Sequence, residues 1–140
     1  MKAVPQTIEI HDVAQLSAAR HDLDLFLQRC SLPTQVTYDL LTCIQEAAKN
    51  ALRFAPDPCG VQISVNVGPS EILVTVRDHG AGLDARRATD LQPDLLSESG
   101  RGLFLLCALM DKVEFHTEGG TEVRLHKLLA PESSPRDHAA

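Results

Sequence analysis

Apolar and polar positions alternate along this chain with two different periods, and the switches between them mark its elements. Gln6 to Ile10 has the short alternating pattern of a first strand. From about Val13 to Cys30 the period becomes helical, with Leu16, Leu23, Phe26, Leu27 and Cys30 on one stripe. Asp12 stands at the N-cap position and Gln15 at the capping-box position. Ser31-Leu32-Pro33-Thr34 breaks that helix and starts a second, with Ser31 or Thr34 as its cap. The second helix runs to about Ala55, where Pro56-Asp57-Pro58 stops it.

The period then shortens to two. Val61, Ile63, Val65 and Val67 alternate with Gln62, Ser64 and Asn66, which predicts a strand with one wet face. Gly68-Pro69-Ser70 turns the chain, and Ile72, Val74 and Val76 continue the pattern in an antiparallel partner. Leu83 to Ser99 carries no clear period and predicts a short helix and a mobile loop. A loop this long inside a compact domain is usually functional. Gly100-Arg101-Gly102 opens a helix over Leu103 to Asp111, apolar nearly all round and therefore expected to be buried. Val113 and Phe115 mark a third long strand, and Glu118-Gly119-Gly120 turns it. Val123 and Leu125 alternate with Glu122, Arg124 and His126 in a fourth. The predicted class is α+β, a two-layer sandwich. Its mostly antiparallel mixed sheet is covered on one face by three helices. One domain over residues 1–129 and a disordered tail over 130–140 complete the plan.

Composition narrows the functions. The 140 residues are 44% hydrophobic and 23% charged, with formal net charge −6 and pI near 5.4. That balance excludes wholesale disorder and disfavours a nucleic-acid or anionic-membrane surface. The N-terminus MKAVPQTIEI lacks the apolar segment of a signal peptide, and no window reaches the length of a membrane span. Cys30, Cys43, Cys59 and Cys107 form no C-x-x-C pair, so reduced, buried thiols in a cytoplasmic protein are expected.

The candidate chemistry centres on CIQEAAKNALRFA, Cys43 to Ala55, which is polar where a core helix should be apolar. Glu46 and Asn50 are four residues apart and share a helical face. Leu40, Ile44, Ala47, Ala48 and Ala51 form the opposite face, suited to a sheet. A carboxylate beside an amide can hold a hard cation or activate a hydroxyl; the plainer alternative is an exposed pair on a solvated helix. Asp78 ends a strand and is followed by Gly80 and Gly82. Such a carboxylate can accept a hydrogen bond from an exocyclic amine, such as N6 of adenine, while the glycines let backbone approach a ring. A surface turn would read the same way. Gly100, Arg101, Gly102 and Leu103 open a helix whose free N–H groups suit a phosphate, or are simply punctuated by glycine.

Three motifs in this order, E-x-x-x-N-A, D-x-G-x-G and G-R-G-L, resemble the GHKL (Bergerat-fold) ATP-binding family. Within it the chain is most similar to the small stand-alone anti-sigma-factor serine/threonine kinases, RsbW-like. The resemblance runs from about Gln6 to Leu129 and takes in Gly120-Thr121 at the last strand. Many members have His-Ala where this chain has Phe54-Ala55. The resemblance implies ATP and Mg²⁺ as cofactors. It implies Glu46 as the base toward a substrate serine, Asn50 as the Mg²⁺ ligand and Asp78 as the adenine reader. Gly80 and Gly82 would shape that pocket, Gly100, Arg101, Gly102 and Leu103 would approach the phosphates, and Thr121 would join the Asp78 network. Ala85 to Ser99 would form a lid.

The partners implied are a sigma factor and a STAS-type anti-sigma-factor antagonist, with a homodimer and a cytoplasmic setting, and without direct nucleic-acid or membrane contact. The function implied is phosphorylation of a serine on the antagonist. The alternative is a module that holds ATP or ADP without transferring phosphate. A sensor histidine kinase would need a phosphoacceptor hairpin ahead of the first strand, and none is visible.

Overall fold

The computed structural model describes residues 4–54, 60–78, 100–116 and 120–129. The loop and lid from His79 to Ser99, with Gly80 and Gly82, lie outside the described residues, as does the tail from Ala130. The elements are β1 (Val4–Ile10), α1 (Val13–Arg29), α2 (Thr34–Phe54), β2 (Val61–Val67), β3 (Glu71–Asp78), α3 (Gly100–Leu109), β4 (Lys112–His116) and β5 (Thr121–Leu128). The five strands make one sheet in the order β1-β2-β3-β5-β4, and every pairing among the described residues is antiparallel.

The alternation read from the sequence decides which face the helices cover. Val61, Ile63, Val65 and Val67 of β2 and Ile72, Val74 and Val76 of β3 are all buried. They form one core with Leu16, Leu23, Phe26 and Leu27 of α1 and Leu40, Ile44, Ala47 and Ala48 of α2. The opposite sheet face carries Thr7, Ser64, Glu71, Arg77, Glu114, Glu122, Arg124 and His126, joined by cross-strand polar contacts. α2 lies between α1 and α3 and packs on β2, β3 and β5.

The second hairpin enters the sheet with β5, not β4, beside β3. Leu125 on β5 is fully buried, whereas Val113 and Phe115 on β4 are half-buried. The longer strand takes the inner position, and the five-residue strand Lys-Val-Glu-Phe-His takes the edge, where a short, charged strand suits an unpaired border.

Helix ends follow the sequence closely at α1. The Gln15 N–H donates to Asp12 Oδ1 at 2.8 Å, and Gln15 Oε1 in turn accepts from the His11 N–H. Neither predicted cap of α2 holds. Thr34 is its first helical residue, and Pro33 C=O accepts the first backbone bond, from the Thr37 N–H at 3.1 Å. Ser31 instead closes α1 in the left-handed region, with φ 59°, and its N–H donates to Gln28 C=O.

Two further expectations are corrected. α3 begins at Gly100 and ends at Leu109, and it is not buried all round. Leu106 points inward, but Phe104 is 73% exposed and Cys107 and Ala108 are exposed. Among the described residues this helix packs mainly on α2 and β4. The thiols differ accordingly: Cys43 is buried, Cys30 half-buried and Cys107 exposed, all three free, while Cys59 lies outside the described residues. Burial, with the Asp39 charge adding to it, pushes the Cys43 thiol up to about 12, so it stays protonated.

Candidate nucleotide site

The covered face of the sheet ends in a polar pair. Asp78 continues the inward phase of Ile72, Val74 and Val76 and is only 2% exposed. The β3–β5 register sets it opposite Thr121. The Thr121 N–H donates to Asp78 Oδ1 at 3.4 Å. Thr121 Oγ1 is buried beside it with no hydrogen-bond partner among the described residues. A buried hydroxyl without a partner is uncommon and marks a place where a ligand or water completes the bonding.

Gly120 makes this approach possible. Its φ is +127°, and a Cβ there would stand 2.3 Å from the Asp78 carbonyl oxygen and 3.4 Å from Asp78 Oδ1. Any larger residue would force β5 away from β3 at the point where the two polar groups meet. The site role of Gly120 is missing from the predicted set. Its signal was the Gly-Gly-Thr run, which reads as an ordinary turn until the register shows what lies across from it.

α2 brings its polar positions to the same side of the sheet. Its apolar face (Leu40, Ile44, Ala47, Ala48) is buried as expected, and Glu46 and Asn50 stay half-buried on the flank. A Glu46 oxygen lies 3.5 Å from the Lys49 ammonium, a partly exposed pair of small energetic weight. Gly100, Arg101, Gly102 and Leu103 form the first turn of α3, as the glycine punctuation predicted. Backbone N–H groups of a helix's first turn have no partner inside the helix and favour an anion. Among the described residues no group of three or more His, Cys, Asp and Glu side chains could hold a metal ion. A magnesium ion here would take one protein oxygen and complete its shell with water and phosphate.

On the open face next to this site, burial raises and the Arg124 and Arg77 bonds lower the Glu122 pKa, with a net fall. Arg77 Nη1 donates to Glu122 Oε1 at 2.9 Å, bracing the residues that flank Asp78 and Thr121.

The two-layer sandwich, the buried polar pair Asp78–Thr121 at its edge and the glycine-started helix fit an ATPase-type domain. A family model described as the histidine kinase-like ATPase domain matches residues 11–127, and the chain belongs to that family. It is similar to the serine-protein kinase RsbW of Bacillus velezensis, 35% identical over 102 residues, covering 65% of this chain and 64% of that protein. The serine-protein kinase RsbW of Bacillus subtilis is 34% identical over 110 residues, with 71% and 69% covered. The anti-sigma F factor of Anoxybacillus flavithermus is 30% identical over 122 residues, with 81% and 84% covered. Among solved structures, the RsbU and RsbW domains of a Mycobacterium tuberculosis protein superpose with a TM-score of 0.66 at 19% identity. The match covers 91% of this chain and 33% of that one, and it shows the shared fold. None of the described helices is long and apolar enough to cross a membrane.

Proposed function

We propose that this chain is an ATP-dependent protein serine/threonine kinase that also acts as an anti-sigma factor. It would hold a sigma factor in one state and phosphorylate a serine on a small STAS-type antagonist in another, in the cytoplasm and as a homodimer. The observation that carries the reading is the buried Asp78–Thr121 pair, whose hydroxyl has no partner among the described residues. The names of the RsbW and anti-sigma F relatives support the assignment of class.

The residues divide the work. The Asp78 carboxylate accepts from the exocyclic amine of adenine, and Thr121 Oγ1 bonds the same edge of the ring system directly or through water. Gly80 and Gly82 complete that pocket. The first turn of α3, with Arg101, receives phosphate oxygens. Asn50 holds Mg²⁺, which when bound neutralises phosphate charge. Glu46 orients the acceptor serine hydroxyl and takes its proton. Phosphoryl transfer asks a protein mainly for such positioning and charge neutralisation.

The alternative is nucleotide binding without transfer. The test that separates the two uses proteins captured by this chain from its native host, then labelled ATP with Mg²⁺. The kinase reading expects phosphoserine on a small captured partner, lost in Glu46→Gln although that variant still binds ATP. Nucleotide-dependent capture with no phosphoserine from the parent would make the chain a binding module.

A further inference from the structure

The covered face of β5 holds one residue out of keeping with its surroundings. Thr121, Val123, Leu125 and Lys127 share that face by alternation, and Val123 and Leu125 belong to or pack on the core. Lys127 follows them in phase, with its side chain only 19% exposed. An ammonium so placed is costly unless it finds partners. It finds two. Lys127 Nζ donates to the Leu109 C=O at 2.8 Å, and it lies 3.9 Å from Asp39 Oδ2. Asp39 is 8% exposed and also accepts from Gln35 Nε2 at 2.8 Å. Leu109 is the last residue of α3, so its carbonyl has no partner inside the helix, and a cation there also meets the negative end of the helix dipole. Asp111 reinforces the junction. Its N–H donates to His126 C=O at 2.9 Å, and its Oδ2 accepts from the Leu128 N–H at 2.7 Å.

This knot joins three elements, each of which carries part of the candidate site at its other end. From Asp39, α2 runs about 16 Å to Asn50, and from Leu109, α3 runs back about 14 Å to Gly100, at roughly 1.5 Å per residue. From Lys127, β5 runs back about 20 Å to Thr121, at roughly 3.3 Å per residue. Helices and strands of this length behave as stiff rods, so the joint fixes where the start of α3 stands relative to Asn50 and Thr121. We infer that Lys127 is a positioning residue: it pins the C-terminal end of α3 to α2 and β5, and thereby holds the α3 start in register to receive the phosphates of a bound nucleoside triphosphate. The inference rests on the proposed nucleotide site and adds to it a residue that touches no substrate. The adenine corner at Asp78 and Thr121 is held separately, by β3–β5 pairing.

The test compares two ligands on the full chain, adenosine and Mg-ATP, each by displacement of a fluorescent adenine nucleotide. Lys127→Met is expected to leave adenosine affinity within about twofold and to weaken Mg-ATP at least tenfold. Lys127→Arg, which keeps the cation, should recover part of the loss. Asp39→Asn, which keeps size and the Gln35 contact, should shift the Mg-ATP to adenosine ratio in the same direction, so the inference stays testable if Lys127→Met does not fold. An unchanged ratio, or equal weakening of both ligands, would overturn it, because a merely structural role moves both together. A parent chain that binds neither ligand would overturn the nucleotide site itself and this inference with it. A parent that binds both, with variants of unchanged ratio, would remove only the role of Lys127.

Discussion

Asp78 and Thr121 sit opposite each other across the β3–β5 pairing, and the Thr121 N–H donates to the Asp78 carboxylate while the Thr121 hydroxyl has no partner among the described residues. The pair combines a fixed acceptor with a group that still needs a bond. Replacing Asp78 by Asn keeps the shape and removes the charge. Asp78→Asn should lower ATP affinity by about 10- to 100-fold, the roughly 1.5–3 kcal/mol of a hydrogen bond to a charged group, without changing the fold. Calorimetric titration with a far-UV circular dichroism control checks it; full affinity in the variant would remove Asp78 from the site.

Gly120 is held at φ +127° against the Asp78 carbonyl. Gly120→Ala should destabilise the chain by about 2 kcal/mol or more from backbone strain alone, and should abolish nucleotide binding. Urea unfolding followed by ligand titration reads both effects. Parent-like stability would mean that β5 can shift without cost.

A pH dependence should come from His126. Its Nδ1 lies 2.8 Å from Glu71 Oε2 and its Nε2 lies 2.9 Å from Glu114 Oε1, linking β3, β5 and the edge strand β4. Lys112 and His116 face Glu114 from the same strand. The Glu71 and then the Glu114 hydrogen bonds raise the His126 pKa. A raised histidine pKa stabilises fully below its unfolded value, near 6.5, and the contribution is lost as pH rises through the folded value. Glu114, lowered chiefly by His126, acts in the opposite sense and loses its contribution as pH falls through its own depressed pKa. Stability should therefore decline from pH 6 toward alkaline pH, and His126→Gln should flatten that decline. Thermal melts across pH 5–9 on both proteins decide it; identical slopes would exclude the histidine.

Ser31 occupies the left-handed position that ends α1, where glycine carries no Cβ penalty. Ser31→Gly should stabilise the chain by about 0.5–1 kcal/mol after allowing for the freer unfolded chain. Chemical denaturation measures the change; destabilisation would show that the Ser31 side chain makes a compensating contact.

Much of this architecture is legible in the residue pattern. The alternation of Val61 to Val67 and Ile72 to Val76 specifies both strands and their inner face, and Asp12 with Gln15 specifies the start of α1. The inner place of β5 is not legible, because local periodicity carries no information on which strand of a hairpin meets the rest of the sheet. The exposed side of α3 is not legible for a related reason: Phe104 and Cys107 are as apolar as Leu106, and only tertiary packing decides which of them turn inward. Asp78 at the end of β3, Asn50 on α2 and the α3 start at Gly100 stand on the elements that the sequence pattern places them on, and their proposed roles come from motif. Thr121 beside Asp78 is implied by the family resemblance, whereas the close approach at Gly120 and the Lys127 joint depend on contacts between residues far apart in sequence, and no spacing rule reaches them.

Asp78, Thr121, Asn50 and the α3 start are proposed to serve one ligand. Isothermal titration of the purified chain with ATP in the presence of Mg²⁺ addresses that most directly. It predicts saturable heat with one nucleotide per chain, which Asp78→Asn diminishes; a flat titration for the folded parent chain, with ATP and with ADP, would contradict it.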